Sequence, residues 1–235
     1  MKNLLVISAK KRCGKDTVAK MVRDIIGEGN TVSYALAEPI KRALWYGLKF
    51  AHVRNPLNRE VITIDNINGL NKFDREMDLN LSSYQLASVL KTAWGEVEAM
   101  RGELGVHTMD ALGLIDNQVA SEDKVWSIRR LMQVFGTDIC VAVNQMIWMK
   151  FMADHYLDAI AENKLMIITD CRQEHEMKAL RMMGGTFWFV NRDLPELNTD
   201  THITERGLQP KITDVVIDNN GTLEELSQNV YGLFL

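Results

Sequence analysis

The stretch Leu4 to Thr17, LLVISAKKRCGKDT, constrains this chain more than any other. A short apolar run, a basic turn and Gly14-Lys15-Asp16-Thr17 lead into a helical pattern, giving the order strand, loop, helix. In such a loop, successive backbone N–H groups and a helix N-terminus converge on an anion, while a lysine ammonium reaches the outer phosphates. The expected ligand is a nucleoside triphosphate. The chain departs from the pattern G-x-x-x-x-G-K-[ST] at two places, with Ala9 for the first glycine and Asp16 for the hydroxyl residue. Lys15 would sit unfavourably at the positive end of a helix dipole unless a phosphate neutralised it. Asp16 beside phosphates requires Mg²⁺ or its waters between them, with Thr17 supplying the hydroxyl one position late; the plainer role for Asp16 is to complement the dipole. Lys11 and Arg12 either touch phosphates or solvate the loop.

Apolar strands followed by helical patterns recur beyond this point, which favours a parallel sheet covered by helices in one α/β domain. Strands are expected at 4–7, 31–34, 165–169, 186–190 and 214–217, and a helix starting at Pro39 or Ile40. The region from about 52 to 123 mixes polar loops with helical stretches and reads as an insertion or substrate-side region, or equally as plain structural elaboration. A net charge of -4 argues against coating a polymeric nucleic acid and leaves phosphorylated small molecules as the better partners. Cys13, Cys140 and Cys171 lack paired spacing and suit a reducing compartment, so the cytoplasm is expected. Cys171 and His175 could share a helical face, but two ligands do not make a zinc site. Met1 to Ile7 is too short for a secretory leader, and no run reaches the roughly 18 apolar residues of a membrane span.

Phosphoryl transfer asks for in-line positioning and for cations on several segments. Asp123 is a candidate cap for a helix carrying Val125, Ile128, Leu131, Met132 and Phe135 at spacings of three and four, stopped by Gly136. That stripe leaves Arg129 and Arg130 toward the other side. A long helix is expected from about Asp138 to Glu162. The strand at 165–169 delivers Asp170 and Arg172 at its carboxyl end, where open α/β sheets bind ligands, with Glu176 one turn into the next helix. Lys15 is the first expected cation; Arg129 and Arg130 are either a plain basic helix face or, with Arg172, a two-nucleotide phosphate clamp, a role that arginine's bidentate hydrogen bonding suits. His202 lies in a polar loop and carries no such signal.

Together these motifs resemble the deoxynucleoside monophosphate kinases of tailed bacteriophages, especially the T-even type. The resemblance rests on the loop Ser8 to Thr17 ending in Gly-Lys-Asp-Thr, on A-x-P-I-K at Ala37 to Lys41, and on D-R-E-x-x-L-N at Asp74 to Asn80. It rests further on W-S-I-R-R-L-M-Q-x-x-G-T-D at Trp126 to Asp138, D-x-R-Q-x-H-E-M at Asp170 to Met177 and D-T-H-I-T-E-x-G-L at Asp200 to Leu208. It implies a P-loop NTPase three-layer fold of the nucleoside monophosphate kinase type, with a helical substrate-side insertion and a lid over about 191–204. The implied reaction is ATP + dNMP giving ADP + dNDP with Mg²⁺, in a homodimer in the cytoplasm of an infected host. Arg12, Gly14, Lys15, Asp16 and Thr17 should then bind ATP, with Asp16 and Thr17 toward the metal, partly through water. Lys11, Ile40, Lys41 and Arg75 should lie along the monophosphate. Arg130, Gly136, Thr137, Trp148, Asp170, Arg172, Glu176 and Thr201 should complete its pocket. Asn219-Asn220-Gly221 resembles the loop that approaches adenine in related kinases. Ala9, where similar chains carry glycine, is the chief departure. The alternatives are a related kinase acting on another small phosphate, of the phosphomevalonate or dephospho-coenzyme A type, and a nucleotide-binding module without transfer.

Overall fold

The protein is described from a computed structural model, over residues 3–10, 12–101, 107–121, 125–193 and 207–235. The chain divides into two compact units, one of residues 1–36 with 149–235 and one of residues 37–148.

The first unit is built on a five-stranded sheet of β1 (Leu4–Ala9), β2 (Thr31–Tyr34), β3 (Leu165–Ile168), β4 (Thr186–Asn191) and β5 (Val215–Asp218). Every pairing is parallel and the spatial order is β2-β3-β1-β4-β5. β1 and β3 read as continuous apolar runs because both of their faces are covered. Leu4, Val6, Met166, Ile168, Phe187 and Phe189 face Met149, Met152, Met177 and Leu180 on one side. Leu5, Ile7, Ile167, Trp188, Val190 and Ile217 face Val18, Val22, Leu226 and Val230 on the other. The period-two alternation of each strand thus feeds two helical layers: α1 (Lys15–Ile26) and α9 (Leu223–Gly232) on one face, α7 (Ile147–Ala161) from Met149 onward and α8 (Glu174–Met182) on the other. With all strands parallel, every carboxyl end opens on the same edge, and that edge carries the loop after β1 and the segment after β3.

The second unit is helical: α2 (Glu38–Phe50), α3 (Ile64–Asn68), α4 (Ser83–Arg101), α5 (Thr108–Ala120) and α6 (Ile128–Gln133), then a π-helix over Val134–Val141. α2 starts with proline in its first turn, as its missing N–H allows. Ala43, Leu44 and Leu48 of α2 and Val89, Leu90, Ala93 and Trp94 of α4 are buried, and the two helices approach closely at Gly47.

Three expectations are corrected here. Val125 precedes α6 and is exposed, and the helix is capped by Ser127, whose Oγ accepts the Arg130 N–H at 3.2 Å. Asp123 lies outside the described residues. Gly136 does not stop the helix; the backbone runs on with wider π geometry to Val141. The expected 138–162 helix is interrupted near Asn144, whose side chain accepts the Met146 N–H at 3.1 Å in a turn, and resumes at Ile147. Asparagine favours such local turns over helix interiors because its carbonyl competes for backbone donors. The lid expected over 191–204 falls, beyond residue 193, outside the described residues.

Candidate functional site

The loop after β1 meets its requirements without the first glycine. Ala9 is the last strand residue, paired with Val190, and its methyl group packs against the core between sheet and α1. Its backbone is extended, so the side chain brings no strain. The left-handed positions come later, at Arg12 (φ 68°) and Gly14 (φ 95°). Gly14 is the N-cap of α1 and has no side chain with which to cap it, so the first-turn N–H groups remain open to an anion. Lys15 Nζ lies 2.8 Å from both carboxylate oxygens of Asp16. Asp16, Thr17 and Arg12 are exposed at this helix start.

A contact 206 residues away in sequence holds this loop. Asn219 follows β5, is 8% exposed, and donates from Nδ2 to the Cys13 carbonyl at 2.8 Å. A Cβ at position 14 would lie 2.4 Å from that same Nδ2, so the close approach and the positive φ both demand glycine there. The Asn219 N–H donates to the Asn191 carbonyl at 2.8 Å, and the Asp193 N–H donates to Asn220 Oδ1 at 2.7 Å. The loops after β1, β4 and β5 are thereby joined at the carboxyl edge of the sheet. The sequence marked Asn219 only within Asn219-Asn220-Gly221, a segment resembling the loop that approaches adenine in related kinases; nothing local in the sequence pairs it with Cys13.

After β3 the chain turns through Asp170, Cys171 and Arg172 into α8. Asp170 Oδ1 accepts the Leu36 N–H at 2.8 Å, tying the end of β3 to the segment after β2. Glu176 Oε2 accepts the N–H groups of Arg172 and Gln173 at 2.8 and 3.0 Å, forming a capping box that fixes the backbone of exposed Arg172. Burial pushes the Glu176 carboxyl up to about 7, against the lowering effect of those two hydrogen bonds. Burial, and next the Glu176 and Asp170 carboxylates, push the Cys171 thiol up, so it stays a neutral core thiol.

The raised Glu176 value carries a sign. The folded chain holds this proton more tightly than the unfolded chain, whose carboxyl titrates near 4.5. Its contribution to stability is therefore fully present below that pH and is lost as pH rises toward 7, by on the order of 3 kcal/mol. Glu176→Gln keeps an oxygen acceptor for the two N–H groups and removes the charge. Its melting temperature is expected to fall less than that of the parent chain between pH 5 and pH 7.5, as scanning calorimetry would read; parallel profiles would refute this.

In the second unit, the Arg129 N–H donates to the Arg75 carbonyl at 3.0 Å, and Arg129 Nε lies 3.4 Å from Glu76 Oε1. Arg75 Nη1 donates to the Ile67 carbonyl at 3.3 Å, its guanidinium lying against Gly69. The Arg130 guanidinium sits over the Trp126 ring, 5.1 Å from its centre, and its buried Nε has no hydrogen-bond partner among the described residues. Ile40 packs closely on Gly136: a Cβ there would stand 2.8 Å from Ile40 Cδ1, so that side chain would have to shift. The Trp148 indole N–H donates to the Gly136 carbonyl at 2.9 Å, and Trp148 is buried. Lys41 and Thr137 are half-buried on α2 and the π-helix.

The structure thus gathers Gly14, Lys15, Asp16 and Thr17 at one helix start. It places Asp170, Arg172 and Glu176 together after β3, joins Ile40, Gly136 and Trp148, and links Arg75 to the Arg129–Arg130 helix. Lys11 and Thr201, like His202, lie outside the described residues. Among the described residues, no three His, Cys, Asp or Glu side chains cluster as a metal site.

Comparison with known proteins finds relatives over nearly the whole chain. The sequence profile of the family described as deoxynucleotide monophosphate kinase matches residues 3–230. The deoxynucleotide monophosphate kinase of Enterobacteria phage T4 is 36% identical over 241 aligned residues, covering 97% of this chain and 96% of the relative. That of Escherichia phage RB69 is 33% identical over 244 residues, covering 97% of each.

Proposed function

The chain belongs to the deoxynucleotide monophosphate kinase family, and from that premise we propose that it transfers the γ-phosphoryl group of ATP to a deoxynucleoside monophosphate, giving ADP and the diphosphate. The observation that carries the reading is the loop after β1, where a left-handed Gly14 leaves the start of α1 uncapped with Lys15 beside it. Arg12, Gly14, Lys15, Asp16 and Thr17 hold the triphosphate. Lys11, Ile40, Lys41, Arg75, Arg130, Gly136, Thr137, Asp170, Arg172 and Thr201 serve the acceptor nucleotide, while Trp148 and Glu176 contribute by holding Gly136 and Arg172. The buried Nε of Arg130, which has no hydrogen-bond partner among the described residues, supports an acceptor-phosphate role for that residue.

An acceptor phosphate oxygen attacks the γ-phosphorus as the bond to the β–γ bridging oxygen breaks, and ADP leaves with that electron pair. The nucleophile is already ionised, so no general base is asked of the protein. The side chains of Lys15, Arg130 and Arg172 offset the charge on the transferring group and hold the reactants in line. Magnesium fits this donor set: exposed Asp16 and Thr17 offer one or two oxygens, and phosphates and water would supply the rest, as that ion prefers. Its role when bound is to neutralise charge on the β- and γ-phosphates. No helix among the described residues is long and apolar enough to cross a membrane, and the host cytoplasm is the proposed location. The homodimer belongs to the same proposal; exposed Phe50, Leu57 and Tyr84 of the second unit offer apolar surface for one.

The test is ADP formation measured with each dNMP and each NMP in turn. At least one deoxynucleotide is expected to drive turnover, and none doing so would refute the proposal.

A further inference from the structure

The loop that receives the triphosphate is oriented from outside itself. We infer that Asn219 is a positioning residue for ATP: its side-chain amide fixes the Cys13–Gly14 peptide so that the Gly14 N–H is presented to the phosphates. The inference rests on the reading of this loop as the ATP phosphate seat.

The argument begins with a planar trans peptide, in which carbonyl and N–H point in opposite directions. Asn219 Nδ2 holds the Cys13 carbonyl at 2.8 Å. The Gly14 N–H of the same peptide therefore points away from Asn219 and the buried side of the loop. Left-handed Gly14, with φ 95°, has no Cβ to resist a change in peptide orientation, and Arg12 two residues earlier is also left-handed. A flipped peptide would aim the Cys13 carbonyl at the phosphates and repel them. Asn219 decides between the two, and it is itself fixed by burial and by its N–H donating to the Asn191 carbonyl.

Asparagine is specific for this task. Aspartate has the same shape but would set an acceptor against the Cys13 carbonyl, and alanine would leave that carbonyl without this donor. Serine keeps a donor on a shorter stem.

The experiment measures ATP affinity by calorimetric titration with Mg²⁺ and without acceptor, in the full chain and in Asn219→Asp, Asn219→Ala and Asn219→Ser. The expected Kd for ATP rises about tenfold or more in the Asp and Ala variants, and less in the Ser variant. At saturating ATP, KM for the acceptor stays within about twofold, which general loosening of the fold would not spare. Equal Kd values in all folded variants would overturn the inference. If Asn219→Asp does not fold, the Ser and Ala variants decide by the same rule. The reading beneath it fails separately: a parent chain that binds no ATP, or binds it and forms no ADP with any dNMP, refutes the proposed kinase before any variant is compared.

Discussion

Lys15→Ala is expected to lower turnover by about 10²–10³-fold, the effect of deleting one preorganised charge-stabilising donor at a reacting centre. Its ammonium contacts Asp16 at 2.8 Å, and Asp16 is 78% exposed in that pair. An exposed ion pair of this kind contributes little to folding, so the melting temperature should remain within about 2 °C of the parent value. The loss is thus confined to the reaction. On the proposed reading, triphosphate arriving at the start of α1 offers the ammonium a denser charge than one carboxylate does, and in the transition state the γ-phosphoryl oxygens would need that cation most. Steady-state ADP formation beside a thermal melt checks both halves. Arg172→Ala should act in the same direction with the fold retained, since Arg172 is exposed and its backbone is held through Glu176. Parent-like turnover in both purified variants would refute the assignment.

Gly47→Ala should produce the largest loss of stability from one methyl group. Its Cβ would stand 2.3 Å from the Val89 carbonyl oxygen and 3.2 Å from the Val89 Cα. Those atoms are backbone of α4, so relief requires the helices to separate, not a side chain to rotate. Overpacking of this kind costs about 1–3 kcal/mol and sometimes more, against the roughly 1 kcal/mol that alanine gains over glycine within a helix. The steric term wins because Ala43, Leu44, Leu48, Val89 and Leu90 are all buried along the same contact. A net loss of about 2 kcal/mol lowers the melting temperature by about 4–8 °C for a chain of this size. Gly95→Ala on α4 is the control: nothing lies within 4 Å of its Cβ, so it should be neutral or stabilising. A Gly47 variant as stable as the Gly95 variant would refute the close contact.

The strands at 165–168 and 186–191 were legible because a strand covered on both faces must be apolar throughout, and the loop after β1 because its chemistry is local. Gly136 misled because glycine serves two ends: it stops helices, and it admits close neighbours. Here it makes room for Ile40, which lies 96 residues earlier, a relation no local pattern encodes. Asn144 was submerged in an apolar stretch whose periodicity suited one long helix, yet its side chain closes a turn that breaks it. Asn219 was noticed in a segment likened to an adenine-approaching loop and missed as a brace, since its partner Cys13 lies 206 residues earlier. Ala9 raised an objection that local pattern could not answer; strand pairing with Val190 answers it.

The order of synthesis meets this architecture awkwardly. β1 is made first, yet its hydrogen-bonded neighbours β3 and β4 begin at Leu165 and Thr186. At ordinary ribosomal rates that delay is on the order of ten seconds, during which a strand destined for full burial has no edge to join. The unit of residues 37–148 is contiguous and emerges complete within the interval, whereas the unit that carries the loop after β1 must wait for β3, β4 and β5. A nascent chain stalled before residue 165 would therefore hold Gly14-Lys15-Asp16-Thr17 without the sheet that shapes it. On the proposed reading, ATP should have no purchase on it until residue 219 has also been made, because Asn219 holds the Cys13 carbonyl.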